Sequence, residues 1–147
     1  MIATKFIPIN ILAEGIIKIS SALVNSIYYL TKISDDDQEL KKILATTDIM
    51  TDILLIKSFI DDHNNLPKND KIYNSNSVSN CIKSLLDILT ELEANIALST
   101  KKIEEHKKLW FSSYRRYDIS VEKESIILNS SILKHRFDML LKISNNL

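Results

Sequence analysis

The chain has 147 residues with 19 basic and 19 acidic side chains, so its formal net charge is zero. A chain of this length reads as one domain, residues 1–147, able to bury a core without staples. One glycine (Gly15) and two prolines (Pro8, Pro67) are too few for the tight turns of an all-β fold or for the phosphate loops of a doubly wound α/β fold. Hydrophobic residues make up 45%, which excludes disorder over the whole chain. The single cysteine, Cys81, excludes an intramolecular disulfide framework and fits a reducing, cytoplasmic compartment.

The first ten residues lack a charged region leading into a clean apolar stretch, so no secretory signal is expected. A first helix is predicted from about Asn10, a plausible N-cap, to Ile33. Leu12, Ile16, Ile19, Leu23, Ile27 and Leu30 recur at spacings of three and four, the signature of one helical face. Residues 6–30 are the most apolar of the chain, but Glu14 and Lys18 interrupt them. The uncharged run from Ile19 to Thr31 falls short of the roughly 20 residues that span a bilayer. Two readings follow: a core helix of a soluble bundle, or a helix stored in the soluble state and released to a membrane.

Ser34-Asp35-Asp36-Asp37 breaks the pattern and supplies an acidic first turn, which suits the helix dipole. The second helix is predicted as one piece from Asp36 to Ile60, with Leu40, Ile43, Leu44, Thr47, Met50, Ile53, Leu54 and Ile60 facing inward. Residues 61–77, with five asparagines and Pro67, read as a flexible connection. Ser77 is expected to cap a third helix marked by Val78, Ile82, Leu85, Leu86, Leu89, Leu92 and Ile96, continuing through Ile103 towards Trp110. A break is expected within residues 112–118. Asp118 or Ser120 then caps a last helix whose inner face holds Ile126, Leu133, Phe137, Leu140 and Leu141, before a frayed tail. Four helices of roughly 24 residues, about 36 Å each, predict an all-α, antiparallel up-down four-helix bundle, with a break or short extra helix between the third and last.

Catalytic chemistry is absent from the pattern. His63, His106 and His135 make no HExxH or Glu-x-x-His motif, Cys81 has no CxxC partner, and no phosphate loop or GxSxG elbow is present. Asp48 and Asp52, like Glu91 and Asn95, lie one turn apart and could share a cation, but a solvated helix face is the simpler reading. No catalytic residue, cofactor or metal is therefore expected, and the chain does not read as an enzyme. Cys81 near a helix start reads as a small core residue rather than an activated thiol.

Charge is uneven along the chain. Residues 1–100 carry 9 basic and 13 acidic side chains, and residues 101–147 carry 10 and 6. The excess lies in residues 101–117, where Lys101, Lys102, Lys107, Lys108, Arg115 and Arg116 interleave with Trp110, Phe111, Tyr114 and Tyr117. Such a stretch suits an anionic lipid surface, where cations meet head groups and Trp sits at the interface. Zero net charge argues against nucleic acid. The alternative is that the rings fill the end of the bundle while the cations are solvated, with Glu104 and Glu105 supporting Lys107 and Lys108 along the helix.

The order of these segments resembles the HeLo and HeLo-like domains of fungal STAND/NLR-type receptors and prion-controlled cell-death effectors, and is similar to the four-helix bundles of mixed lineage kinase domain-like proteins. The resemblance rests on the apolar first helix (ILAEGIIKISSALVNSIYYL), the acidic turn and second helix (QELKKILATTDIMTDILLIKSFI), the third helix (VSNCIKSLLDILTELEANI), the basic Trp-containing junction (KKIEEHKKLWF) and the closing helix (ESIILNSSILKHRFDMLL). It implies a bundle that oligomerises on an upstream trigger, is recruited from the cytoplasm and kills the cell by disturbing a membrane. Carried over by position, the membrane-active element is the first helix, through Ile11, Leu12, Ile16, Ile19, Leu23, Ile27 and Leu30. Head-group contacts fall to Lys101, Lys102, Lys107, Lys108, Trp110, Arg115 and Arg116. The implied partners are a second copy of the chain and an anionic membrane. The chain departs from the family in carrying no nucleotide-binding module, kinase-like module or amyloid motif after Leu141. A soluble helical module that binds a protein partner is the alternative.

Overall fold

A computed structural model describes residues 8–65, 74–109 and 117–147, and these are helical almost throughout, with no strand among them. Five helices form: α1 (Ile9–Ile33), α2 (Gln38–Thr47), α3 (Ile49–Asn64), α4 (Asn76–Lys107) and α5 (Ser120–Asn145). α2 and α3 are two halves of one broken rod, so the architecture is a four-rod, all-α bundle around a single core of leucine and isoleucine.

Two of the helices, α2 and α4, begin at a side-chain cap. The Asp37 carboxylate accepts the Leu40 N–H (2.9 Å) at the head of α2, and the Ser75 hydroxyl accepts the Val78 N–H (3.3 Å) at the head of α4. Three predicted boundaries move accordingly. Pro8, not Asn10, occupies the N-cap of α1; its missing N–H costs nothing where no intrahelical partner exists. Ser75, not Ser77, caps α4. Ile119 holds the N-cap position of α5 without a side-chain cap, while Asp118 accepts the Ser120 N–H (3.0 Å). The connection predicted over residues 61–77 shrinks as well, because α3 runs to Asn64 and α4 starts at Asn76; residues 66–73 of it lie outside the described set, as do residues 112–116 of the predicted break.

The main departure is the break at Asp48. Its φ of 50° and ψ of 35° are left-handed, a conformation Asp tolerates better than most residues because its short polar side chain bonds locally. Thr46 and Thr47 just before it turn their hydroxyls back onto the carbonyls of Lys42 and Ile43 (both 2.7 Å), as Thr90 and Thr100 do within the unbroken α4, so these bonds alone do not break the rod. The break resets the phase of the rod. An unbroken helix that buries Leu40 and Ile43 carries Met50 and Leu54 inward. Instead Ile49, Ile53, Ile56 and Ile60 form the core, and Leu54 is 46% exposed.

Cross-contacts fix the chain directions. The Ser84 carbonyl accepts from Arg136 (2.7 Å) while Lys102 pairs with Glu122, so α4 and α5 are antiparallel. Gly15 lies against Leu86 and Tyr29 against Glu104, so α1 and α4 run parallel. Asp37 meets Lys123, and Phe59 packs edge-on to Phe137 with centroids 5.8 Å apart, so the broken rod is parallel to α5. Directions thus alternate along the chain. Yet the order around the core is α1, α2/α3, α5, α4, because α1 packs chiefly on α4 and α3, and α5 on α4 with lighter contacts to α2 and α3. The connection from α3 to α4 therefore joins rods that are not neighbours.

Candidate functional site

The two predicted functional elements meet at one end of this bundle. That end gathers the C-termini of α1 and α4 and the N-termini of α2 and α5. α1 brings its apolar face: Leu12, Ile16, Leu23, Ile27 and Leu30 are buried in the core. Ile19 is only partly buried. Ile11 departs from the stripe, being 54% exposed, because it falls on the solvent side with Glu14, Lys18 and Asn25. At 25 residues and about 37 Å, α1 is the one helix among those described that is long and apolar enough to cross a membrane, a test that the core helix of a soluble bundle also passes.

α4 brings the basic residues. Lys101, Lys102, Lys107 and Lys108 are all exposed at its C-terminal end, where positive charge suits the dipole. Lys101 and Lys108 share the outward face with Glu105, at spacings of four and three. Lys102 is committed elsewhere: it turns inward to pair with Glu122, whose side chain is only 4% accessible. Trp110, Arg115 and Arg116, predicted to share the lipid contact, lie outside the described residues.

The basic end is also more acidic than the sequence suggested. Asp37 is a hub, accepting from the Tyr117 hydroxyl (3.0 Å) and the Lys123 ammonium (3.1 Å) besides the Leu40 N–H. Lys123 reaches Glu39 at 3.3 Å as well. Burial pushes the Asp37 carboxyl up, but the donors from Leu40, Lys123 and Tyr117 outweigh it and hold it below its ordinary value. Desolvation, and then the bond to Asp37, push the Tyr117 phenol well above its usual range. The Tyr117 ring meets His106 edge-on at 5.5 Å. A hydrogen bond to Glu104 raises the Tyr29 phenol in turn. The surface is thus mixed in sign, with Lys32 of α1 joining Lys101, Lys107 and Lys108 of α4 among its exposed cations.

The other side chains singled out by the sequence do not converge among the described residues. Asp52, a predicted cation partner of Asp48, pairs with Lys134 instead, and Asp48 sits at the break. No group of metal-ligating side chains occurs among the described residues. Cys81 is partly buried on α4, and desolvation raises its thiol pKa, the reverse of activation.

Sequence reasoning missed the network of Asp37 with Tyr117 and Lys123, because Asp37 lies 80 and 86 residues from them, and it missed Glu122 as the enclosed partner of Lys102, because the two come from different helices. It also missed apolar residues on the outside of α5, Val121 and Leu128 above all. A signal for those existed: Val121, Leu128, Ile132 and Met139 form a second stripe beside the inward one of Ile126, Leu133 and Leu140. Neither a protein-family model, nor a curated protein, nor a solved structure matches this chain.

Proposed function

We propose that this chain is a membrane-targeting, oligomerising helical bundle of a cell-death or innate-defence signalling system, closed in the cytoplasm and active when α1 leaves the core for an anionic membrane. What supports the reading is α1 itself, a helix with the length and composition of a membrane span whose apolar stripe is held inside the bundle. Five large aliphatic side chains of that stripe return to water if α1 leaves without a membrane. At about 2 kcal/mol each, that costs on the order of 10 kcal/mol, comparable to the whole stability of a domain. Release therefore needs both a trigger and an acceptor surface, and the apolar bilayer interior is such a surface. Lys101, Lys107 and Lys108 bring the adjacent end to anionic head groups, each worth about 1 kcal/mol near the surface.

The test is sedimentation with, and dye leakage from, anionic and neutral vesicles. Binding or leakage with anionic lipid, lost in the four-site variant Lys107→Glu, Lys108→Glu, Arg115→Glu and Arg116→Glu, supports the reading. Binding unchanged by those reversals refutes its electrostatic part, and no binding at low salt refutes it as a whole. A soluble protein-protein interaction module is the second reading, favoured by the apolar side chains on the outside of α5. A stable protein complex indifferent to lipid and salt selects it.

A further inference from the structure

α2 is the shortest of the described helices, with ten residues, and it buries only Leu40 and Ile43 while Leu44 is half-buried against the core. A free helix of that length is marginal in water, so α2 depends on its docking, which is light and falls on α5 and α3. Both of its ends are joints. At the head, the turn Ser34–Asp37 separates it from α1. Ser34 is wholly enclosed, its hydroxyl and its N–H both donate to the Leu30 carbonyl, and the Asp37 N–H closes the turn on the Ser34 carbonyl (2.9 Å). At the tail stands Asp48, the one residue with positive φ among those described. The Asp48 N–H turns back to the Ala45 carbonyl (3.3 Å), and α3 restarts with Asp52 donating to the Asp48 carbonyl (3.2 Å). Asp52 pairs with Lys134, so one turn earlier Asp48 lies level with Ser130 of α5, a buried residue whose hydroxyl has no protein partner.

We propose that α2 is a strap that opens as a unit, ahead of the rest of the bundle, between the joints at 34–37 and at Asp48. What holds its head is polar. Asp37 takes the Tyr117 hydroxyl and the Lys123 ammonium, and Lys123 also reaches Glu39. Such bonds exchange for bonds to water at small net cost, whereas α1 leaves only by uncovering the large aliphatic side chains of its stripe. Elements with few buried apolar contacts are the ones that open locally while the core stays closed.

The strap sets the leash of α1. With α2 docked, α1 pivots about the four residues Ser34–Asp37, and its C-terminal end stays within about 13 Å of the Asp37 clasp. With α2 open, the leash runs from Ser34 to Thr47 and reaches about 46 Å when extended, more than the length of α1. The strap thus deepens the release step proposed above and rests on that reading for its consequence. Its own test uses no lipid, so a strap that fails leaves vesicle binding standing, and a chain that ignores vesicles leaves the strap standing.

The experiment is native-state amide hydrogen exchange of the full chain, followed by NMR. The amides of residues 41–47 should share one protection factor, at least about 100-fold below that of the slowest amides of α4. Two variants separate local from global opening. Ile82→Val, in the core at the other end of α4, should lower the protection of α4 about fivefold and leave that of α2 unchanged. Asp37→Asn should lower both by the same factor, several-fold, because the clasp is lost in either opening. Amides of α2 as slow as those of α4 overturn the proposal. So does an Ile82→Val variant that speeds α2 as much as α4, and so do α2 amides that differ among themselves as in a fraying helix. Asp37→Asn without effect on α2 overturns the clasp.

Discussion

The pairing of Lys102 with Glu122 separates a structural role from a lipid-binding one. Glu122 is almost wholly enclosed, 4% accessible, while 43% of the Lys102 side chain still meets water. Removing one partner of a fully buried pair costs about 3–5 kcal/mol, and an exposed pair contributes under about 1 kcal/mol. With one end enclosed and the other wet, we expect Lys102→Met to cost about 2 kcal/mol, the enclosed carboxylate losing its cation while the aliphatic stem is kept. At about 3 °C per kcal/mol for a chain of this size, the melting temperature falls by about 6 °C. Lys101→Met, one residue away on the solvent face, should move it by less than about 2 °C. Replacing both partners, Lys102→Met with Glu122→Met, should recover most of the loss, because no charge is then left enclosed. Thermal and urea unfolding followed by circular dichroism measure all three. Equal shifts for Lys101→Met and Lys102→Met refute the reasoning, and so does a double variant less stable than the single one.

Leu23→Ala, at a fully buried position of α1, should destabilise by about 3 kcal/mol, whereas Tyr28→Ala on the exposed side of the same helix should change stability by under about 0.5 kcal/mol; urea midpoints distinguish them. At the break, Asp48→Gly should stabilise by about 0.5 kcal/mol because glycine accepts a φ of 50° freely, and Asp48→Val should cost about 1–2 kcal/mol. The Asp37 network predicts two pH effects. The Asp37 carboxyl titrates lower in the folded chain than in the unfolded one, so its contribution is present above the unfolded pKa and is lost as pH falls below about 4; Asp37→Asn should flatten that acid limb. The Tyr117 phenol is raised on folding, so its contribution holds below the unfolded pKa and fades above about pH 10; Tyr117→Phe should remove that part of the alkaline loss.

Periodicity made the rods legible. The stripe of α1 from Leu12 to Leu30 and that of α4 from Val78 to Ile103 read from spacing alone, because neither helix contains a residue that stops it. The second rod misled for a local reason. Thr46-Thr47-Asp48 lacks glycine and proline, and the unbroken pattern from Leu40 to Leu54 fits a single helix nearly as well as the true phase from Ile49 to Ile60. Which phase wins depends on where α1 and α5 stand around the rod. The boundary error at Ser77 is of the same local kind, since Ser75 competes for the cap, whereas α1 starts ahead of Asn10 at Pro8 with no side-chain cap.

The candidate site divides along the same line. The amino-acid sequence by itself determined the helical class, the inward stripes, the apolar length of α1 and the basic excess after residue 100, because each is a property of neighbours three or four positions apart. Only the tertiary structure decided that Lys102 turns inward to Glu122, that Asp37 gathers Tyr117 and Lys123, that α1 lies beside α4 rather than in simple chain order, and that Leu54, Val121 and Leu128 are left outside. The physical reason is that an amphipathic period states which residues avoid water but not how wide the covered arc will be. That width is set by how many neighbouring rods a helix has and by the side from which they come.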